Sequence, residues 1–129
     1  METKANPRGL TTEAPAGRFD YQATPTQLAV NEVKEETGID LKPEEITILN
    51  DGQPLATSPG VLTEKVYLCF AQVRLDNLDR THNHFRHHRE DVHRLFIPVE
   101  EFRTMTLESA KLFALREWFF GHIYDKSTA

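Results

Sequence analysis

The clearest periodic pattern in the chain runs from Thr24 to Ile39. At about 100° per residue, Ala29, Val30 and Val33 share one arc, Glu32, Glu35 and Glu36 occupy a neighbouring arc of about 100°, and Asn31 and Lys34 point away. The pattern predicts a helix with one packing side, one acidic side and one wet side. Its ends are also written locally. Thr24 suits the N-cap, Pro25 the first helical position, and Gln27 would complete a Thr-x-x-Gln capping box. Gly38 suits the left-handed position that closes a helix.

Elsewhere the pattern is shorter-ranged. Leu10 to Glu13 reads as a short strand entering the turn Ala14-Pro15-Ala16-Gly17, and Asp40 to Glu45 reads as a connection. Ile46-Thr47-Ile48-Leu49 is β-branched and fits one strand, after which Asn50-Asp51-Gly52 turns the chain. Pro54, Pro59 and Gly60 predict an irregular segment from Gln53 to Leu62, whereas Glu64 to Leu75 alternates well enough for one long strand. Asp76 to Asp91 is polar and reads as a loop, leading to a strand that ends at Phe96-Ile97-Pro98. Val99 to Phe102 predicts a helical turn. Thr106 is the expected cap of a final helix from Leu107 to Phe120, with Gly121 as its stop. So many of its residues are apolar, Phe113, Trp118, Phe119 and Phe120 among them, that it should be buried by the sheet and by a second subunit.

Composition narrows the class without naming it. The 129 residues are 39% hydrophobic and 27% charged, enough for one globular core and unlike a disordered or membrane-spanning chain. No apolar run approaches a bilayer span, and the first eight residues lack the apolar segment of a signal peptide. Cys69 stands alone and can form no internal disulfide, so a cytoplasmic home is the default expectation. The net charge of −5 argues against nucleic acid as a general partner.

Two clusters could carry chemistry. The carboxylates of Glu32, Glu35 and Glu36 could hold a divalent metal, although an isolated acidic face is more often just solvated. His82, His84, His87 and His88 lie among Arg80, Arg86 and Arg89. With no accompanying cysteine and no standard zinc spacing, they favour a solvated loop facing phosphate over a transition-metal site.

Read outward, the helix resembles the Nudix box, GxxxxxE, seven residues, then REUxEExGU with U aliphatic. Gly17 fits the first glycine, Glu32, Glu35 and Glu36 the acidic positions, Val33 and Ile39 the aliphatic ones, and Gly38 the closing glycine. Ala23 stands where the loop Glu belongs and Asn31 where the Arg belongs. Opposite charges lost together fit a pair that normally compensate one another, which implies a weakened scaffold with the metal site kept. Glu13 to Asp20, with Pro15-Ala16-Gly17, is similar to the segment before the box in the ADP-sugar pyrophosphatase branch. Ser58-Pro59-Gly60 with Glu64, Glu90 ahead of a strand, and Lys111 in Ser109-Ala110-Lys111 extend that resemblance.

The resemblance implies an α/β (α+β) Nudix fold, a mixed sheet between helices, over residues 13–123, with tails at 1–12 and 124–129. The branch's opening strands would be largely absent, from a fragment or from a shortened homologue that pairs edges with another copy as a homodimer. It implies a Mg²⁺- or Mn²⁺-dependent hydrolase acting on a small-molecule nucleotide, an ADP-ribose-like ADP-sugar first among them. Glu32, Glu36 and the Ala16 or Gly17 carbonyl would bind metal, and Glu35 would share a metal or orient water. Glu90 would be a ligand or general base from a mobile loop. Arg18, Gly17, Pro59, Gly60 and Glu64 would meet substrate. The rival expectation is a nucleotide-binding or regulatory module that keeps the fold with little or no catalysis.

Overall fold

The acidic helix takes its length from its caps. Thr24 is extended (φ −77°, ψ 157°), its hydroxyl accepts from the Gln27 N–H, and helix α1 runs Pro25–Thr37. Gly38 closes it at φ 75°, its N–H donating to the Lys34 carbonyl at 2.9 Å. The side-chain half of the expected capping box goes elsewhere: Gln27 Nε2 donates forward to Asn31 Oδ1 at 3.0 Å. Burial is also rotated from the expected side. Leu28 and Glu32, one turn apart, are the buried residues of α1, while Ala29, Val30 and Val33 are half-buried.

These coordinates come from a computed structural model that describes residues 11–19, 23–58, 60, 64–76, 78–87 and 90–127, the side chains of His87, Glu90 and Ser127 excepted. Two compact units result, one spanning Pro15–Leu95 and one that includes Phe96–Ala129. Residues 11–19 have no regular secondary structure, so the described part of the strand expected at Leu10 to Glu13 does not form.

In the first unit the strands are β1 (Ile46–Ile48), β2 (Leu55–Ala56), β3 (Lys65–Val66), β4 (Cys69–Ala71), β5 (His84–His87) and β6 (Glu90–His93). They pair as three antiparallel ladders, β1 with β4, β2 with β3, and β5 with β6. The α+β class is as expected, with small ladders in place of the mixed sheet among the described residues. The long strand expected from Glu64 to Leu75 is divided because its two parts take different partners, Val66 facing Leu55 and Cys69 facing Ile48. Between those partners Asn50, Asp51 and Gly52 all have positive φ (59°, 53° and 78°). This tight turn shifts the register and leaves Leu55–Ala56 as a strand inside a segment expected to be irregular. Leu49 N donating to the Leu68 carbonyl at 2.8 Å carries the β1–β4 ladder one step past its strands.

The polar stretch from Asp76 to Asp91 is the second correction. It contains β5 and runs into β6, a hairpin in register His84 with His93, Phe85 with Val92, Arg86 with Asp91 and His87 with Glu90. Each strand contributes one half-buried apolar residue, Phe85 or Val92, and these face one another. One apolar position per strand is too little for alternation to show in the sequence. The strand expected to end at Phe96-Ile97-Pro98 therefore ends at His93. Helix α1 packs against β1 and against this hairpin.

In the second unit, α2 spans Val99–Thr104, α3 Ala110–Phe119, a π-turn Phe120–Tyr124 and α4 Asp125–Ser127. Ser109, not Thr106, caps α3, its hydroxyl accepting from the Leu112 N–H at 3.2 Å. Gly121 lies inside the π-turn and does not stop the chain. The helix is not buried all round within its unit: Leu112, Arg116 and Phe120 are buried and Phe113 is 50% exposed. Arg116 makes that stripe polar at its centre, its Nη1 donating to the Met105 carbonyl at 2.6 Å and the Phe102 carbonyl at 3.2 Å.

Candidate metal and substrate site

The strongest local feature of the acidic helix is where Glu32 sits. It is 9% exposed, and a Cβ built on Gly17 would overlap its Cγ, Cδ and Oε1 atoms. The Pro-Ala-Gly loop is therefore folded directly onto this carboxylate, an approach that only glycine permits. Glu36 follows Glu32 by one helical turn and is half-buried, and Glu35 beside it is exposed. Burial, half-burial and exposure thus grade across one acidic side.

The other expected residues are placed as follows. Ala16 and Arg18 flank Gly17 in the same loop and are exposed. Gly60 turns the chain at φ 82° between β2 and β3, and the Glu64 carbonyl accepts from Thr57 N–H at 3.4 Å across that ladder. Pro59 lies outside the described residues. Glu90 opens strand β6, its backbone paired with that of His87. The histidines are likewise on or beside strands. His84 stacks on His93 (centroids 4.7 Å apart) and pairs with Asp91 at 3.2 Å, and His82 meets Phe85 edge-on. His88 lies outside the described residues.

Among the described residues no group of three or more His, Cys, Asp or Glu side chains forms a ready-made metal cage. Glu32, Glu35 and Glu36 are all among those residues, whereas the side chain of His87 and the whole of His88 are not. In donor type the three glutamates suit Mg²⁺ or Mn²⁺, since carboxylates are hard oxygen ligands and Mg²⁺ sites commonly use one or two of them completed by water and substrate phosphate. Two shallow clefts, of about 600 and 260 Å³, open beyond the C-terminal end of α1 and share Asp40 and Arg74. Neither is lined by Glu32, Glu35 or Glu36.

Arg94 is the residue that sequence reasoning missed. It is 7% exposed and follows β6 directly. Its Nη1 donates to the Thr37 carbonyl at 2.6 Å, its Nη2 to the Asp79 and His82 carbonyls at 2.6 and 2.7 Å, and its Nε to Asn83 Oδ1 at 3.1 Å. Its guanidinium also lies over the Phe85 ring, 5.3 Å from the centroid. The 79–83 loop it grips is ordered by its own chemistry: the Thr81 hydroxyl and N–H donate to Asp79 at 2.6 and 2.9 Å and hold that carboxyl below the usual carboxylate range. Nothing in the sequence sets Arg94 apart from a solvated arginine, because its partners Thr37, Asp79, His82 and Asn83 belong to no shared motif.

The Gly17 loop lies against the first glutamate of a glycine-closed acidic helix, and the class of the protein comes from the family comparison. The NUDIX domain model matches residues 2–118, and the chain belongs to that family. No curated protein and no solved structure matches it. Membership points to hydrolysis of nucleoside diphosphate derivatives, small-molecule substrates, and the divalent metal ions that Nudix enzymes generally use. No helix among the described residues is long and apolar enough to cross a membrane.

Proposed function

We propose that this Nudix domain hydrolyses a nucleoside diphosphate linked to another moiety, an ADP-ribose-like ADP-sugar first among them, to AMP and a sugar phosphate. The observation that carries this reading is Glu32, buried under Gly17 on a helix that also presents Glu35 and Glu36. A pyrophosphate repels nucleophiles through its own charge, and bound Mg²⁺ or Mn²⁺ would neutralise its oxygens and lower the pKa of the attacking water. Glu32 and Glu36 would hold the metal with the Ala16 or Gly17 carbonyl. Glu35 would share the metal or orient the water, and Glu90 would accept the water's proton or add a ligand. Arg18 contacts phosphate, and Pro59, Gly60 and Glu64 shape the sugar side. We place the protein in the cytoplasm as a homodimer that does not bind nucleic acid.

The test is metal-dependent release of AMP from ADP-ribose. Glu36→Gln should lower it by about a hundredfold or more, since even the outer partners of metal ligands are worth about ten- to a hundredfold. Absence of turnover across a panel of nucleoside diphosphate compounds would reject catalysis. One observation favours a second reading, a binding module with weak turnover: Asn31, where the family carries Arg, is engaged by Gln27, and Ala23 offers no carboxylate. Calorimetry separates the two, because metal-independent nucleotide binding that survives Glu32→Ala belongs to the module alone.

A further inference from the structure

The family's usual Arg and Glu beside the acidic helix are replaced here by Asn31 and Ala23, yet a buried guanidinium still meets the helix, from the other end. We propose that Arg94 is a positioning residue that fixes the C-terminal end of α1 to the β5–β6 hairpin, and so fixes the acidic face relative to the strand that carries Glu90. The proposal rests on the metal-site reading above for its consequence, though not for the anchor itself. The last carbonyls of a helix have no intrahelical donor and carry the negative end of its dipole. Thr37 is the last residue of α1, and its carbonyl receives Arg94 Nη1. The same guanidinium closes on three groups of the 79–83 loop, and the Arg94 N–H donates to the Asn83 carbonyl at 2.6 Å.

Gly38 completes the joint. A Cβ there would come within 3.1 Å of Phe85 Cε1, the same ring that Arg94 covers. Helix end, hairpin and loop are thus gathered on one planar cation with donors on three nitrogens. Lysine could not reproduce this, since it offers a single ammonium on a flexible stem. Glu90 begins the strand whose last residue, His93, precedes Arg94, so its backbone is tied to the anchor by a continuous two-stranded ladder. Loosening the anchor frees that strand against α1 without touching any carboxylate.

The experiment compares wild type, Arg94→Lys and the milder Asn83→Ala, which removes the Nε acceptor together with the loop's own bond from Asn83 Nδ2 to the Arg80 carbonyl, by hydrogen exchange, Mn²⁺ binding followed by electron paramagnetic resonance, and AMP release from ADP-ribose. In folded Arg94→Lys, exchange should rise by about tenfold or more in the last turn of α1 and in the 79–83 loop, with the first turn of α1 unchanged. Mn²⁺ affinity should fall by about tenfold, as for other residues that orient metal ligands, and kcat should fall more than KM rises. Asn83→Ala should move each in the same direction by less, and if Arg94→Lys does not fold it carries the test through exchange in the last turn of α1, since the loop itself also loses the Asn83–Arg80 bond; unchanged exchange there would overturn the anchor. Unchanged exchange at both places would overturn the anchor. Raised exchange with wild-type Mn²⁺ affinity and kcat would overturn the positioning role. If wild type itself binds no Mn²⁺ and releases no AMP, the metal-site reading fails, and exchange still decides the anchor.

Discussion

Gly17 and Glu32 form the tightest dependence between two positions in the acidic region. Adding one methyl at residue 17 must displace either the loop or the carboxylate, because the new Cβ overlaps three atoms of the Glu32 side chain. Gly17→Ala is expected to destabilise the fold by about 1 to 3 kcal/mol, the usual cost of overpacking, and to weaken Mn²⁺ binding at the same time. Gly52→Ala is the useful contrast. Its φ is 78° but no atom lies within 4 Å of the added Cβ, so only backbone strain of about 1 kcal/mol applies and Mn²⁺ binding should be unaffected. Thermal unfolding with and without Mn²⁺ separates the two. Cys69 offers a third check at this scale: half-burial pushes its thiol up, so alkylation at neutral pH should be slower than for a free cysteine.

At the scale of elements, α1 was legible because its signals are local. Thr24, Pro25 and Gly38 act on the nearest turn, and each does so where expected. Thr24→Ala should therefore cost about 1 kcal/mol, measurable by denaturant unfolding. The hairpin was illegible because its apolar content is Phe85 and Val92 alone, set among histidines and arginines. The Glu64 to Leu75 segment misled for a different reason. Its residues do favour strand, but which strand they pair with is decided by the Asn50 to Gly52 turn, far away in sequence. The α2–α3 unit adds a pH dependence. Arg103 donates to Glu100 and Asp125 at 3.1 and 2.9 Å and lowers both carboxyls. A lowered carboxyl stabilises above its unfolded pKa and loses that contribution as pH falls through the folded one. Helicity should thus hold down to about pH 4 and decline below it. Arg103→Gln should remove this acid-sensitive part, as read by far-ultraviolet circular dichroism against pH.

For the whole molecule, the family was legible through the resemblance of Gly17, Glu32, Glu35, Glu36 and Gly38 to its motif, and the α+β class followed as what that resemblance implies. The joint around Arg94 could not, because it draws on Thr37, Asp79, His82 and Asn83, which share no motif. That joint also carries a kinetic consequence. The Arg94 bond to Thr37 spans 57 residues, and closing a loop of that length costs roughly 3 to 4 kcal/mol of chain entropy before any contact forms. A helix closed by its own caps can form early, whereas a contact between such distant residues belongs to the end of folding. Weakening it should hasten unfolding while leaving the folding limb of the chevron nearly unchanged. Arg94 would then set how long the native state lasts rather than how quickly it is reached.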